Sequence, residues 1–536
     1  MSEKKKNLLL QGGILAGAGL ITKIIGFAYR IPMSNMMGDQ GNGLYSVAFG
    51  IYGIALTISS YSLPLAVSKM VSARIAKAEY QNMIKVVANA LVYALIAGLF
   101  AMNVLFFGAG VLEKMYHKTG LALPLRVLAP TTFVVALLGV FRGFFQGHGD
   151  MVPTSLSQIL EQIVNAVISV FATWWFTKLY AGGDLEAAFG AAGGTLGTLA
   201  GALSALLFIL FLFIAARKRY MTKFNPDEKL ETSEQIYKAL FLTIIPIILS
   251  QTIYQIGYTI DDLMFGSLME MRGYKEELAT SLQGVFNTQY NQLVNLPVAI
   301  ATAMASSTLP SIVLSRLQND TRGVHQKITQ VIKVNMVIAF PSAVGLAVLS
   351  EPIIQMLFPR LTTYRQYAIM LLATGSSAVV FYALSTLTTS VLQGSNYMRL
   401  PVIHSAVSLG IHVVLLAILL LFTDLGVYAL LICNGIFPVI VSVLNCRSIT
   451  QKVGYKWEYR NTFIKPMIAS AAMGIVAFAM YHVLNQAIAN VYIVSAITIT
   501  ASIIVYGVMI LQINCFSEDE LRAIPGGSRL VHLIHN

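Results

Sequence analysis

Long apolar segments, separated by short polar connections, occupy the chain from end to end. A helix needs about 20 apolar residues to cross the roughly 30 Å hydrocarbon core of a bilayer. Lipid offers backbone groups no hydrogen-bond partner, so such segments fold as helices. The sequence therefore predicts an all-α polytopic membrane protein with about 14 transmembrane helices. The predicted segments are 8–31, 44–68, 84–110, 121–145, 154–180, 189–216, 236–265, 281–312, 328–350, 366–393, 401–423, 425–446, 463–485 and 491–514.

Composition agrees with this assignment and excludes several classes of protein. Of the 536 residues, 56% are hydrophobic and 11% are charged, against about 25% charged residues in a soluble domain. The net charge of +12 does not indicate nucleic acid as a partner, because the basic residues form short clusters between apolar segments. The three cysteines have no metal-binding spacing and are expected to be buried thiols. The first apolar run lacks a small-residue cleavage site, so we expect a retained helix rather than a signal peptide.

The distribution of basic residues predicts the orientation. Of the 36 Lys and Arg residues, 26 fall on the side of the N-terminus and 8 in the opposite connections. Cytoplasmic loops carry the excess of basic residues. We therefore expect a multi-pass protein of the bacterial plasma membrane with both termini in the cytoplasm.

A charged connection divides the chain near its middle. The stretch ARKRYMTKFNPDEKLETSEQ, which follows Ala215, reads as a cytoplasmic linker. The predicted organisation is an N-lobe of six helices (1–220), the linker (221–235), a C-lobe of six helices (236–450), and a C-terminal helix pair with a cytoplasmic tail (451–536).

Three pairs of motifs recur in the same order in the two halves. They are IGFAYR at 25 with IGYTID at 256, SLPLAVSKMV at 62 with NLPVAIATAM at 295, and FFQGHGDMVP at 144 with VLQGSNYMRLP at 391. Both halves have six helices and begin on the same side, so they form a parallel repeat. Transporters built from such repeats hold substrate between them and expose it to each side in turn. Pro64 and Pro297 each remove one helix hydrogen bond and so bend the helix. The bend is expected either to serve packing alone or to move when the two lobes rock.

The most specific motifs resemble a known superfamily. They are KIIGFAYRIPMSNMMGDQGNGLYSVAFGIY from residue 23, SLPLAVSKMVS, LRVLAPTTFVVALLGVFRGFFQGHGDMVPTSLSQILEQIVN from residue 125, and NQLVNLPVAIATAMASSTLPSIV from residue 291. With the 14-helix plan, they resemble the MOP (MATE-like) superfamily, in the SpoVB/YtgP branch of oligosaccharide flippases, which is related to the lipid II flippases. The resemblance implies two lobes around a central cavity and a final helix pair outside the repeat. It also implies transport of undecaprenyl-pyrophosphate-linked saccharides for cell-wall or capsule assembly.

Charged side chains within apolar segments are costly and usually face a cavity or a partner. Lys23 and Arg30 lie seven residues apart, on nearly the same face of the first helix. The resemblance places both near basic cavity positions, where fixed cations would neutralise a pyrophosphate. For Lys23 the alternative is packing or snorkelling, and for Arg30 it is snorkelling to the outer interface. Lys69, which follows Pro64 by five residues, is expected either to contact substrate or only to fix orientation.

Two charges lie around the turn between helices 4 and 5. Arg142 precedes that turn, where the second half has Thr389, and is expected to contact substrate or to lie at the loop edge. Glu161 is about eight residues into helix 5 and is predicted to face the cavity or to form an ion pair.

The second half carries acidic and amide groups instead. Asp261 and Asp262 in helix 7 are candidates for binding a coupling cation, with a solvated position at the outer helix end as the alternative. The lipid II flippases have an Arg and a Glu before the helix 8 proline. The matching positions here are Gln292 and Asn295. Amides suit a hydroxyl-rich sugar and line a polar cavity without net charge, but the change puts lipid II itself in doubt as the substrate. His404 and His412 suggest hydrogen-bonded packing or a proton relay.

These observations favour a flippase, and no enzymatic activity or bound cofactor is expected. The chain has no P-loop, so the predicted energy source is Na⁺, H⁺ or the membrane potential. The expected partners are a lipid-linked oligosaccharide, membrane lipids and the cell-wall synthesis machinery. A cation-coupled multidrug exporter of the same superfamily is the alternative, although basic residues in helix 1 argue against it. A membrane-embedded glycosyltransferase would need larger aqueous loops than this chain has.

Overall fold

The computed structural model describes residues 3–221 and 228–516. Parts of the predicted linker (222–227) and of the predicted tail (517–536) lie outside the described residues. Every regular element within the described ranges is helical, as predicted. The helices are α1 Glu3–Leu56, α2 Leu63–Ala76, α3 Tyr80–Met115, α4 Ala122–Gly147, α5 Val152–Leu179, α6 Glu186–Met221, α7 Ser233–Met271, α8 Glu276–Gly284, α9 Asn291–Leu317, α10 Thr321–Val348, α11 Ser350–Leu357, α12 Arg365–Gly375, α13 Ala378–Gly394, α14 Arg399–Phe422, α15 Val427–Val453, α16 Lys465–Ala487 and α17 Val491–Gln512.

The first predicted helix lies in the first limb of α1, and the second, 44–68, covers most of the second limb, a π-helical stretch and the start of α2. At Gly38 the backbone has φ of 73° and ψ of 177°, which is not helical, and the chain kinks there. A residue with a Cβ rarely adopts this positive φ. The first limb runs to residue 37, about two turns beyond the predicted end at 31, so Arg30 lies inside the helix rather than at its end.

The apolar helices are long enough to span a bilayer, but the predicted number is not confirmed. Among the described residues, ten helical stretches pass this test, or eleven if α12 and α13, bent by 51°, count as one span. That bend interrupts the predicted helix at 366–393. The protein is thus a multi-pass membrane protein, and 14 helices remain a prediction.

A π-helical stretch precedes each repeated proline. Thr57–Tyr61 comes before Pro64, which lies in the first turn of α2, and Val285–Tyr290 comes before Pro297 in α9. A π-helical turn interrupts the regular hydrogen-bond ladder. The two repeated segments therefore share an irregular backbone as well as a sequence motif.

The chain forms two compact units, which divide inside the predicted C-lobe. The first contains residues 1–288 and 420–424, and the second contains 289–419 and 425–536. The helices α7 and α8 pack against α1 in the first unit. Gly43 of α1 makes this possible, because a Cβ there would lie 2.1 Å from the Thr280 carbonyl oxygen. The lobe boundaries at 220 and 236 stay a prediction from the sequence.

Each unit has its own apolar core. In the first, α2, α3, α4 and α6 bury side chains such as Val67, Val86, Phe144 and Ile209. In the second, Leu349, Ala477 and Val494 form a smaller cluster where α10–α11 meet α16 and α17. The first core fixes α2 and α4, which carry Lys69 and Arg142 described below.

The end of the linker is fastened to the turn between α2 and α3. The Glu228 carboxylate accepts hydrogen bonds from the backbone amides of Gln81 and Asn82, at 2.9 and 2.6 Å. These amides open α3, where a helix has unpaired donors and favours negative charge. Glu231 adds an ion pair to Arg74 at 2.7 Å.

Candidate functional site

Arg30 lies in a polar interior of the first unit. Its side chain is half-buried on the first limb of α1, beside the hydroxyl groups of Tyr29 and Tyr45. The Nε atom is buried and has no hydrogen-bond partner among the described residues. A buried N–H without a partner is costly. This guanidinium therefore retains a donor that an anion could satisfy.

A chain of hydrogen bonds leads from the Tyr29 hydroxyl on α1 through α5 to α6. Asn165 of α5 donates from Nδ2 to the Tyr29 hydroxyl at 3.3 Å. Ser169 Oγ lies 2.9 Å from Asn165 Oδ1 and 2.7 Å from the Gly194 carbonyl oxygen of α6. These contacts hold Tyr29 in place, so the phenol positions the neighbouring arginine against α5.

Lys23 lies on nearly the same face of α1 as Arg30 and about 10 Å along the axis, at 1.5 Å per residue. Its side chain is exposed on the first unit, and it makes no ion pair or hydrogen bond with the described residues. The cavity role expected for Lys23 stays a prediction. Two cations therefore share one helix face, where Lys23 is exposed and Arg30 is half-buried.

Arg142 and Glu161 form an ion pair, which is one of the two alternatives that the sequence left open for Glu161. Arg142 Nη2 lies 2.7 Å from Glu161 Oε2, and Arg142 Nε donates to Ser157 Oγ at 2.9 Å. The pair joins the end of α4 to the first half of α5. Each charge neutralises the other, so Arg142 is less available to an anionic substrate than Arg30.

The remaining cation and the amide pair occupy separate places. Lys69 is exposed on α2 and has no partner among the described residues, as expected for an orientation charge or a peripheral contact. In the second unit, Gln292 is buried at 9% exposure, whereas Asn295, one turn further along α9, is exposed. Their roles in substrate binding stay predictions.

Asp261 and Asp262 are buried, at 8% and 7% exposure. The solvated position at a helix end is therefore wrong, because α7 runs to Met271, two turns beyond the predicted end at 265. Asp262 Oδ1 accepts hydrogen bonds from Gln283 Nε2 and from Asn287 Nδ2, the latter at 3.0 Å.

A lysine that the sequence did not single out completes this acidic cluster. Lys118, in the connection between α3 and α4, is 1% exposed and donates from Nζ to Thr280 Oγ1 at 3.1 Å. Burial lowers its pKa to about 8, while the charges of Asp262 and Glu276 act in the opposite sense. Glu276 in turn accepts a hydrogen bond from the Thr119 backbone amide. We call Lys118, Asp262, Glu276, Thr280 and Gln283 the lysine cluster.

The lysine cluster bears on the predicted coupling ion. Its carboxylates accept hydrogen bonds from N–H donors and lie near the Lys118 ammonium group. Hard cations prefer an array of oxygen ligands instead. Within residues 3–221 and 228–516, no group of three or more His, Cys, Asp or Glu is arranged to hold a metal ion. Binding of a coupling ion at Asp261 and Asp262 stays a prediction, and it would require these contacts to rearrange.

The second unit has an uncharged network at the matching place in the repeat. Asn445 donates to Thr388 Oγ1 and Thr389 Oγ1, both at 3.1 Å, and Asn445 Oδ1 lies 2.7 Å from His404 Nδ1. The motif offset of 247 residues pairs Thr389 with Arg142. The histidine is hydrogen-bonded and buried, in agreement with the packing alternative.

Sequence reasoning missed Lys118, Tyr29 and Tyr45. Lys118 lies in a short loop, where a lysine looks like any orientation charge, and its neighbours on α7 and α8 are distant in sequence. The tyrosines looked like ordinary apolar residues. A signal was present in the direct adjacency of Tyr29 to Arg30, since a phenol hydroxyl is a ready partner for a buried guanidinium.

The all-helical chain has the fold of MATE-like membrane transporters. An inward-facing multidrug resistance MATE transporter of the MOP superfamily aligns with a TM-score of 0.67 and 17% identity, over 81% of this chain and 94% of that chain. A MOP superfamily transporter from Pyrococcus furiosus aligns at 0.55 with 17% identity, over 84% and 97%. The chain belongs to the polysaccharide biosynthesis protein family, whose model matches residues 8–318.

Curated relatives from Bacillus subtilis (strain 168) confirm the predicted superfamily and branch. The chain is 27% identical to the lipid II flippase MurJ over 76% of each chain. It is 24% identical to stage V sporulation protein B over 98% of this chain and 99% of that protein. It is 28% identical to the membrane protein YabM over 98% and 96%.

Proposed function

We propose that this protein flips an undecaprenyl-pyrophosphate-linked saccharide from the inner to the outer leaflet of the bacterial plasma membrane, by alternating access and with both termini cytoplasmic. The observation that carries the proposal is the half-buried guanidinium of Arg30, whose Nε has no hydrogen-bond partner among the described residues. The likeness to a lipid II flippase supports the substrate class. The chain acts as a transporter, not an enzyme.

The physical problem is the transfer of an anionic headgroup through a low-dielectric layer. An isolated buried charge is costly unless it is paired. Arginine offers a planar fork that matches phosphate oxygens, and charge-assisted hydrogen bonds of this kind are roughly twice as strong as neutral ones. Arg30 would bind the pyrophosphate. Because Arg142 and Glu161 neutralise each other, the net positive charge available to the substrate would come from Arg30 and Lys23.

The membrane potential is a sufficient energy source in this proposal. Moving one elementary charge through the potential is worth about 2.3 kcal/mol per 100 mV. The cell interior is negative, so an anionic headgroup gains this energy on moving outward. Coupling to Na⁺ or H⁺ at Asp261 and Asp262 would add to this drive.

A multidrug exporter is less well supported. The solved MATE structures resemble this chain in fold alone, at 16–18% identity. A cationic drug would meet Arg30 and Lys23 on one helix face, and like charges repel. An anionic substrate fits these residues better.

The test is a flipping assay with purified full-length protein in proteoliposomes. Fluorescent lipid II and a second undecaprenyl-pyrophosphate-linked saccharide are compared for accessibility in the outer leaflet. We expect protein-dependent flipping of at least one of them, reduced at least tenfold in Arg30→Gln. Arg126→Gln, at an exposed arginine of α4, is the control and should retain activity. Flipping of neither lipid, or equal flipping by both variants, contradicts the proposal.

A further inference from the structure

An apolar groove runs along the outside of the first unit between α1 and α5. Its volume is about 670 Å³, and it extends along α1 from Ile25 to Met36 and along α5 from Ala166 to Trp174. Sites for small ligands have volumes of about 300–1,000 Å³. The groove is therefore large enough to hold a chain-like molecule rather than a single side chain.

The length of the groove matches one leaflet of a bilayer. From Ile25 to Met36, α1 rises about 16 Å at 1.5 Å per residue, and one leaflet is about half of the roughly 30 Å hydrocarbon core. Val167 and Phe171, which line the groove, are 62% and 57% exposed. Tyr29 turns its hydroxyl away from the groove to Asn165. The walls therefore offer carbon to a hydrocarbon chain over the depth of one leaflet.

A cation lies at one end of the groove. Lys178 Nζ is 5.4 Å from the centroid of the Trp174 ring, and Trp174 belongs to the groove wall. Trp175 follows it, and tryptophan is enriched at the level of the lipid headgroups. An ammonium group at this level is suited to a headgroup phosphate.

We propose that the groove binds one acyl chain of an anionic phospholipid, whose phosphate Lys178 contacts. With the N-terminus in the cytoplasm, the Trp174 end faces the outer leaflet, so the lipid belongs to that leaflet. An undecaprenyl chain is much longer than this groove, which would hold only part of it. The acyl chain fits the groove in length and its headgroup fits Lys178 in charge. The choice of leaflet rests on the orientation given under the proposed function, whereas the groove and its occupant do not depend on flipping, because the proposal concerns a resident lipid and not a transported one.

The test uses the intrinsic fluorescence of Trp174. The chain has three tryptophans, and replacing Trp175 and Trp457 by Phe leaves Trp174 as the only reporter. This variant is reconstituted into phosphatidylcholine vesicles that contain a small fraction of phosphatidylglycerol with brominated acyl chains, which quench tryptophan on contact. We expect brominated phosphatidylglycerol to quench Trp174 as if it were roughly fivefold enriched over brominated phosphatidylcholine.

Three further variants distinguish the contributions of the headgroup contact, the groove and general contact with the membrane to the quenching. Lys178→Gln should abolish the enrichment, and Ala28→Phe, which fills the groove from α1, should lower quenching by either lipid. Ala496→Phe, at an exposed position of α17 outside the groove, should match the parent. Each variant is first checked for a monodisperse profile in size-exclusion chromatography.

Several results would overturn the proposal. Equal quenching by the two lipids, unaffected by Lys178→Gln, would remove the headgroup assignment. Quenching unaffected by Ala28→Phe would show that the acyl chain does not bind in the groove. Displacement of the brominated phospholipid by stoichiometric undecaprenyl phosphate would assign the groove to a prenyl chain instead. None of these measurements involves flipping, so failure here leaves the proposed function untouched.

Discussion

Arg142 Nη2 lies 2.7 Å from Glu161 Oε2, with the two side chains 12% and 27% exposed. This pair joins α4 to α5 next to the turn that recurs in the second half. A partly buried pair of this kind is costly to break on one side, because the other charge is left unpaired.

The first prediction concerns this ion pair. Glu161→Gln should destabilise the protein by about 1–3 kcal/mol, since it leaves a partly buried guanidinium without its carboxylate. Arg142→Met with Glu161→Met should be less destabilised than the sum of the single variants. The measurement is a double-mutant cycle on thermal unfolding in detergent. Additive effects would show that the pair does not couple the two helices.

The second prediction concerns the pH dependence of stability at Lys118. Burial lowers its pKa from 10.5 to about 8, so between these values the unfolded chain binds more protons than the folded one. Stability should therefore rise as the pH increases from about 8 to about 10.5, by about 1.4 kcal/mol for each unit of pKa difference. Thermal unfolding across this pH range measures the effect.

Two variants isolate the contribution of Lys118. Lys118→Met should flatten the rise in stability, because it removes the titrating group. Lys114→Met, at an exposed lysine nearby, should leave the rise unchanged. Identical pH profiles for wild type and Lys118→Met would contradict the assignment.

The third prediction concerns the cap on α3. Glu228→Gln should cost about 1 kcal/mol, since it weakens the acceptor for two backbone amides and removes a negative charge at a helix N-terminus. Limited proteolysis should then cleave the linker faster than in wild type. Lys229→Gln, at an exposed neighbour, provides the baseline, and equal cleavage of the two variants would be inconsistent with the cap.

The fourth prediction concerns the acidic pair. If Asp261 and Asp262 bind a coupling cation, the cation would offset the repulsion of two adjacent buried carboxylates. Asp261→Asn should then weaken the dependence of flipping on Na⁺ or on pH. Flipping rates across sodium and pH titrations measure this, and an unchanged dependence would remove the pair from coupling.

The helical fold could be predicted from the sequence because its signal is local. Apolar length sets each span, and basic residues between spans set the expected orientation. Helix ends were less predictable, since the first limb of α1 and the helix α7 extend about two turns beyond the ends of their apolar segments. This is why Arg30 and the Asp261–Asp262 pair lie inside helices and not at their ends.

Charged residues could be selected from the sequence as candidates for the site, but their pairings could not be predicted. Arg30, Arg142 and Glu161 stand out in sequence because a charge in an apolar segment needs a reason. Their partners depend on which helices pack together, and this is set by features such as Gly43, whose missing Cβ admits α8. Lys118 carries no local signal, since its hydrogen-bond partner Thr280 lies 162 positions away.

The most direct test of the central claim varies the charge of the headgroup. Binding to the full-length protein is measured for undecaprenyl-linked saccharides with a pyrophosphate, with a monophosphate, and with a neutral linkage of similar size. The account predicts that affinity falls in that order for wild type, and that Arg30→Gln reduces the difference at least tenfold. Equal affinity of wild type for the charged and neutral lipids would contradict it.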